Sequence, residues 1–241
     1  MSVCKILGID IEVGNRDSLF DKCNSLVGKG GVICTPNPLI LSRSVENASL
    51  RRALLAADLC IPDGIGIRPY LRAADREADV FPGVELGEAL SHRVNTIGLV
   101  GGKTGIAEKA FSYLKEKNPS LSPSFLLSGY GTPLSELLSV LKAQKPELVF
   151  VCLGSPRQEI LMQALRIYSP HTLFLGLGGS LDVYAGVIAR APHPLRVMHL
   201  EWLYRMVRQP RRFLELPTLL RFPFLCHKHR QKNYKVTKNG I

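Results

Sequence analysis

Leu148-Val149-Phe150-Val151-Cys152-Leu153-Gly154 is an unbroken apolar run that ends in glycine, and it is followed by Ser155-Pro156 and a helical stretch over residues 157–168. A short run rich in β-branched and aromatic residues predicts a buried strand, and the glycine and proline mark the turn into a helix. The same unit recurs along the chain. Further strands are predicted at 5–11, 31–35, 59–62, 95–101, 124–128 and 172–178, and further helices at 16–28, 39–57, 83–93, 104–118, 133–144 and 180–186.

This alternation predicts an α/β fold, Rossmann-like, with a mostly parallel sheet flanked by helices and with ligands bound where strands end and helices begin. The 241 residues, 46% hydrophobic and 21% charged, are enough for one core and a small appendage, and they exclude a disordered or collagen-like chain. No apolar run reaches the roughly 18 residues of a spanning helix and no secretory leader is visible, so we expect a cytoplasmic protein. The six cysteines form no C-x-x-C pair and are expected to be reduced core residues.

The net charge of +11 is concentrated near the C-terminus. From residue 195 onward eleven Lys and Arg face two Glu, which gives +9, whereas residues 1–194 carry only +2. Pro192 and Pro194 interrupt regular structure at this boundary. The sequence therefore predicts an α/β core over 1–194 and a basic, helical C-terminal appendage over 195–241.

The appendage mixes arginines with large apolar residues between Trp202 and Phe224. This mixture suits helices that lie in a membrane interface, with apolar faces in the acyl boundary and cations on anionic headgroups. We expect the appendage to bind an anionic membrane surface rather than nucleic acid, and to hold the protein peripherally on the inner face of the cell membrane. A nucleic-acid patch and a solvated basic surface are the alternatives.

Two glycine turns are similar to phosphate loops without matching either standard motif. The turn at Gly101-Gly102-Lys103-Thr104 has Ile97 where a Walker A loop needs its first glycine, and the turn at Gly178-Gly179 lacks the last glycine of a dinucleotide fingerprint. Backbone N–H groups at Gly102, Gly178 and Gly179 are candidates for phosphate binding. Tight turns that need positive φ explain these glycines equally well.

Polar side chains follow three other predicted strands. Thr35 and Asn37 follow the strand at 31–35, and Asp63 lies in a Pro-Asp-Gly turn among apolar neighbours, which suits a proton acceptor. Ser155, Arg157 and Gln158 follow the strand at 148–154 and can hydrogen-bond a sugar or uracil. Helix capping and ordinary turn formation are the alternatives for all of them. Asp10-Ile11-Glu12 is the closest approach to an acidic metal-binding pair, so we expect no metal and no cofactor.

Taken together, these motifs resemble the WecG/TagA/CpsF glycosyltransferases, glycosyltransferase family 26, over nearly the whole chain. The strings that carry the resemblance occur in the family's order, and they are Thr35-Pro36-Asn37-Pro38, Pro62-Asp63-Gly64-Ile65-Gly66-Ile67, Pro82-Gly83-Val84-Glu85-Leu86, Leu99-Val100-Gly101-Gly102, Leu153-Gly154-Ser155-Pro156-Arg157-Gln158-Glu159, Gly178-Gly179-Ser180-Leu181-Asp182-Val183, Arg190-Ala191-Pro192 and Leu200-Glu201-Trp202-Leu203-Tyr204-Arg205. The resemblance implies an inverting, metal-independent enzyme at the membrane surface. Its donor would be a UDP-sugar of N-acetylmannosamine or N-acetylmannosaminuronic acid, and its acceptor N-acetylglucosaminyl-diphospho-polyprenol, in cell-surface polysaccharide synthesis.

Family roles carry over to matching positions of this sequence. The resemblance implies that Asp63 is the general base and that Thr35 is a second catalytic residue. It implies that Arg205 and Arg212 of the appendage close over the site and meet the diphosphate. The remaining residues expected to bind substrate are Asn37, Gln158, Gly102, Ser155, Gly178 and Gly179.

Two positions depart from the family pattern. An arginine commonly found before the Pro-Gly-x-Glu-Leu string is Val80 here, and a third arginine of the appendage is replaced by Glu215. Arg68, Arg72 and Arg76 are spaced i, i+4, i+8 on one predicted helical face, and one of them is a candidate to restore the missing charge. A UDP-glucose-type hexose donor, a non-catalytic nucleotide or nucleic-acid binding module and a homo-oligomer remain open alternatives.

Overall fold

The computed structural model describes residues 3–192, 194–195, 201–208 and 210–238, without the side chains of residues 205, 210–212 and 230–238. Its strands are β1 (Val3–Ile6), β2 (Ile9–Glu12), β3 (Gly31–Cys34), β4 (Leu59–Cys60), β5 (Thr96–Gly101), β6 (Ser122–Leu127), β7 (Leu148–Cys152) and β8 (Leu173–Gly176). Its α-helices are α1 (Arg16–Asn24), α2 (Pro38–Glu46), α3 (Ala48–Leu55), α4 (Arg68–Arg72), α5 (Gly83–Ser91), α6 (Ile106–Lys117), α7 (Leu134–Gln144), α8 (Arg157–Leu165), α9 (Ser180–Tyr184), α10 (Glu201–Arg208) and α11 (Leu216–Lys238).

Six strands form one parallel sheet in the order β4-β3-β8-β7-β5-β6, which confirms the predicted α/β fold. All five residues of β7 are buried. Val149 and Val151 pack into the core on one face of the sheet, and Leu148 and Phe150 pack into the core on the other. A strand covered by helices on both faces exposes no side chain to water, and this explains why the run at 148–154 is apolar throughout.

The helices divide between the two faces and so create a crevice. One core contains apolar side chains of α2, α3, α7 and α8, and the other contains those of α1, α5, α6 and α9. The chain therefore leaves the carboxyl end of β7 toward one face and the carboxyl end of the neighbouring β5 toward the other. Such a divergence between adjacent strands leaves a space at the sheet edge, where α/β proteins bind ligands.

The N-terminal prediction was wrong in one respect. Residues 5–11 do not form one strand of the sheet, because β1 and β2 pair as a separate antiparallel hairpin. Ile6 pairs with Ile9, so the loop consists of Leu7 and Gly8. Both loop residues have positive φ, 52° and 80°, as a two-residue hairpin turn of the primed type requires.

The helix predicted over 39–57 is two helices, because Asn47 interrupts it. The backbone of Asn47 is extended, and its side-chain oxygen caps α3 by accepting a hydrogen bond from the backbone N–H of Leu50 at 2.9 Å.

The prediction that Arg68, Arg72 and Arg76 share one helical face was also wrong. Helix α4 ends at Arg72, so Arg76 does not continue it, and Arg72 Nε donates to the carbonyl of Ala78 at 3.3 Å.

The appendage packs on the core through α11, which lies against α2. Phe222 is buried at 2% exposure, with its ring edge-to-face against Tyr70 at a centroid distance of 5.4 Å. Arg221 forms an ion pair with Glu46 at 2.9 Å on the same side. Within the described ranges, no helix combines the length and the apolar character that crossing a bilayer requires. The division of the chain at residues 194 and 195 stays a prediction.

Candidate functional site

A cavity of about 190 Å³ opens at the carboxyl edge of the sheet, in the space between the diverging chains. It is bordered by the loops that follow β5, β6, β7 and β8. Its lining residues are Gly102, Gly129, Tyr130, Cys152, Leu153, Gly154, Arg157, Gly178, Gly179 and Asp182. All three glycines predicted to bind substrate, Gly102, Gly178 and Gly179, are therefore brought together in the lining of one cavity.

Glycine is required at two of these positions by the backbone. Gly154 has φ of 73° and Gly178 has φ of 54°, a left-handed conformation that other residues seldom adopt. A Cβ built on either glycine would meet no atom within 4 Å. The space above them is open, so a ligand in the cavity can approach the main chain closely.

Gln158 lies beneath this cavity rather than in its lining. The N–H of Gly178 donates to Gln158 Oε1 at 2.9 Å, and Gln158 Nε2 donates to Glu159 Oε1 at 2.9 Å. Both side chains are buried, and the hydroxyl of Ser155 lies beside Glu159. Burial raises the pKa of the Glu159 carboxyl, and the hydrogen bond from Gln158 partly offsets that rise. This network fixes the Gly178 turn, so the Gly178 N–H is already used within the protein.

The charged and aromatic groups of the cavity are Arg157, Asp182 and Tyr130. Desolvation raises the pKa of the Asp182 carboxyl, and the positive charge of Lys103 lowers it in part. Tyr130 is 68% exposed, and Ser128 Oγ fixes its backbone by accepting from its N–H at 3.1 Å and donating to its carbonyl at 3.0 Å. Sequence reasoning missed Tyr130 and Asp182. The position of Tyr130 between two glycines, Gly129 and Gly131, directly after a predicted strand could have identified it as a candidate for ligand binding.

Thr35, Asn37 and Asp63 form a second group farther along the same edge. Thr35 Oγ1 donates to the carbonyl of Gly176 at 2.7 Å, and Asn37 Oδ1 caps α2 by accepting from the N–H of Ile40 at 3.0 Å. Asp63 is half-buried, and its backbone N–H donates to the carbonyl of Pro36 at 3.1 Å. These side chains follow β3 and β4 and are outside the cavity lining. Two strand spacings, about 10 Å, separate β4 from β8.

The predicted arginines of the appendage lie on described backbone, Arg205 in α10 and Arg212 in a 3₁₀ segment. Their side chains are outside the described part of the structure. The two departures from the family pattern have partners: the carbonyl of Val80 accepts from Arg16 Nε at 3.4 Å, and Glu215 pairs with Arg43 at 3.3 Å.

A second groove, of about 480 Å³, lies between α1 and α5. Its arginines are already engaged, because Arg16 lies over the ring of Phe81 at 5.4 Å and Arg93 lies over the ring of Phe20 at 5.3 Å. The lining of this groove contains none of the strand-end glycines. The smaller cavity at the sheet edge is therefore the better candidate for the functional site.

The sequence model of the WecG/TagA/CpsF glycosyl transferase family matches residues 4–236 of the chain. The chain belongs to the WecG/TagA/CpsF glycosyltransferase family. The match extends across residue 194, so it covers both the predicted core and most of the predicted appendage. A glycosyltransferase needs room for a sugar donor and a sugar acceptor, and the sheet edge of this family member offers two neighbouring groups of polar residues.

The buried Glu159 gives this glycosyltransferase a pH dependence of stability. Its native pKa is raised above its ordinary value of 4.5, so the native state holds the proton more tightly than the unfolded state. The free energy of unfolding that Glu159 contributes therefore falls as pH rises from 4.5 through the raised native pKa. We expect Glu159→Gln to gain stability relative to the wild type as pH rises over this range, measured by urea denaturation at a series of pH values.

Glu116→Gln, on an exposed part of α6, is the matched control and is expected to follow the wild-type profile. Parallel stability profiles for the wild type and Glu159→Gln would contradict the assignment of a raised pKa to Glu159.

Proposed function

We propose that the protein is an inverting glycosyltransferase that moves N-acetylmannosamine or N-acetylmannosaminuronic acid from UDP to N-acetylglucosaminyl-diphospho-polyprenol. One observation carries the proposal: the cavity at the ends of β5–β8 and the Asp63 group at the ends of β3 and β4 share one edge of the sheet. The offset of about 10 Å between β8 and β4 leaves room for a hexose between a nucleotide in the cavity and Asp63.

The cavity fits the nucleotide half of the donor. The exposed ring of Tyr130 offers a surface on which uracil stacks, and base–aromatic stacking contributes about 1–3 kcal/mol. The carboxylate of Asp182 accepts hydrogen bonds from hydroxyl groups of the donor. The glycine turns at Gly154 and Gly178 let the nucleotide lie against the main chain.

The reaction needs a base at one end of the donor sugar and positive charge at the other. The Asp63 carboxylate takes the proton from the acceptor hydroxyl, whose oxygen attacks the anomeric carbon on the face opposite UDP. The bond from this carbon to the UDP oxygen breaks, UDP leaves with the electron pair, and the configuration inverts. The Thr35 hydroxyl already donates its hydrogen bond to the carbonyl of Gly176, so its oxygen serves as an acceptor that orients the donor sugar.

Arg205 and Arg212 of the appendage stabilise the negative charge that develops on the departing diphosphate, a role for which arginine and divalent metal ions both serve. In the chain segments with described side chains, no three His, Cys, Asp or Glu residues gather into a metal-binding group. The arginine assignment rests on the family resemblance and on the excess of cations in the appendage.

The appendage brings the site to its lipid-linked acceptor. One side of its helices faces the core, where Met206, Phe222 and Cys226 are buried. The other side leaves large apolar residues exposed, and these are Trp202, Leu203, Val207, Phe213, Leu214, Leu220 and Phe224. Exposed apolar residues beside a net charge of +9 favour binding in the interface of an anionic membrane, with about 1 kcal/mol per cation near the surface. We therefore place the protein on the inner face of the cell membrane.

Asp63→Asn tests the assignment of the base. The amide cannot take the proton, so we expect turnover to fall by about 10²- to 10⁴-fold, measured by mass spectrometry with UDP-N-acetylmannosamine and a short-chain N-acetylglucosaminyl diphosphate lipid. Asp21→Asn, exposed on α1, is the matched control and should retain wild-type turnover. UDP should raise the melting temperature of both variants as it does for the wild type. Wild-type turnover in Asp63→Asn would place the base elsewhere.

Membrane binding is tested by replacing both Leu214 and Leu220, which are 83% and 69% exposed, with serine. We expect the double variant to lose most of its sedimentation with vesicles of phosphatidylglycerol and phosphatidylcholine, because the apolar contacts with the acyl boundary are removed. Leu55→Ser, at a 54% exposed leucine of α3, is the control. Equal sedimentation of all three proteins would contradict interfacial binding through the appendage.

A further inference from the structure

We propose that Arg157 of the core binds the diphosphate of the donor, independently of the arginines of the appendage. This inference rests on the proposed UDP-sugar donor and assigns Arg157 to the diphosphate rather than to the sugar or uracil. The substrates of the proposed reaction contain two diphosphates, one in UDP and one in the lipid-linked acceptor. Without a further cation, the arginines of the appendage would have to bind both diphosphates.

The position of Arg157 along the sheet edge fits this role. Residues that border the edge follow the strand order, with Tyr130 after β6, Arg157 after β7 and Asp63 after β4. In a UDP-sugar the diphosphate joins the nucleoside to the sugar. A donor with its base on Tyr130 and its sugar near Asp63 therefore brings its diphosphate past the start of α8, where Arg157 lies.

Most described arginines of the core have a partner within the protein, whereas Arg157, at the cavity, has none in the described part of the chain. Arg16 and Arg190 bind Glu85, Arg166 binds Asp58, and Arg51 donates to the carbonyl of Leu7. Among the described residues, Arg157 has no ion pair or hydrogen bond through its guanidinium, although it borders the cavity. A guanidinium presents five N–H donors in a planar fork that matches phosphate oxygens.

The second cation near the cavity, Lys103, is outside the cavity lining. Lys103 is exposed in the turn after β5, and its charge lowers the pKa of the Asp182 carboxyl, so the two groups interact. Arg157 is not among the groups that perturb Asp182. Among the described residues that line the cavity, Arg157 is the one cation, so it is the group placed to meet an anionic ligand.

Calorimetric titration of the full chain with UDP and, separately, with uridine tests the proposal. In Arg157→Gln we expect the Kd for UDP to rise at least about tenfold, since a charge-assisted hydrogen bond to phosphate is lost. The Kd for uridine should stay unchanged, because uridine has no phosphate. Arg157→Lys should keep most of the affinity for UDP, and Arg52→Gln, an exposed arginine of α3, should match the wild type for both ligands.

The possible failures are distinguishable. Wild-type affinity of Arg157→Gln for UDP would overturn the inference and leave the proposed function intact. An equal loss of UDP and uridine affinity would assign Arg157 to the shape of the cavity and would also overturn it. Absence of UDP binding by the wild type would contradict the proposed donor itself, and the inference with it.

Discussion

The divergence of the chain at the carboxyl ends of β5 and β7 is the constraint on which the site depends. Both strands are buried between two helix layers, so the segments that follow them have to leave toward one layer or the other. Helix α6 lies on one face and α8 on the other, and the space between their first turns cannot be filled by either. The cavity is therefore a consequence of topology, and its glycines are the residues that keep it open.

Some polar side chains at the carboxyl edge of the sheet hydrogen-bond to the backbone around the cavity, and others line the cavity itself. Thr35 donates to the carbonyl of Gly176 at the end of β8, Asn37 caps α2, and Gln158 accepts from the N–H of Gly178. Such bonds satisfy polar groups at the edge, and those of Thr35 and Gln158 also join segments that are distant in the sequence. Arg157 and Asp182 are instead left toward the cavity, where they can meet a ligand. Family motifs thus include residues that support the site as well as residues that touch substrate.

Much of the fold could be predicted because its signals are local. The apolar run at 148–152 and the glycine that follows it are sufficient to predict a buried strand and a turn. The hairpin at Leu7 and Gly8 was missed because leucine seldom takes positive φ and the surrounding residues are apolar without a break. The break at Asn47 was missed although asparagine is a strong N-cap residue.

The site was predicted in part, since its assembly depends on strand order. Glycines 102, 178 and 179 were identified as turns, but only the order β8-β7-β5-β6 brings them beside Tyr130 and Asp182. Substrate binding by Gln158 stays a prediction, and its sequence position does not reveal that its side chain also accepts from the N–H of the Gly178 turn. A crystal structure of the full chain with UDP tests the central claim most directly. We predict that the uracil lies on Tyr130 and that the terminal phosphate points along the edge toward Thr35 and Asp63. UDP bound in the groove between α1 and α5, or with its phosphates directed away from β3 and β4, would contradict the account.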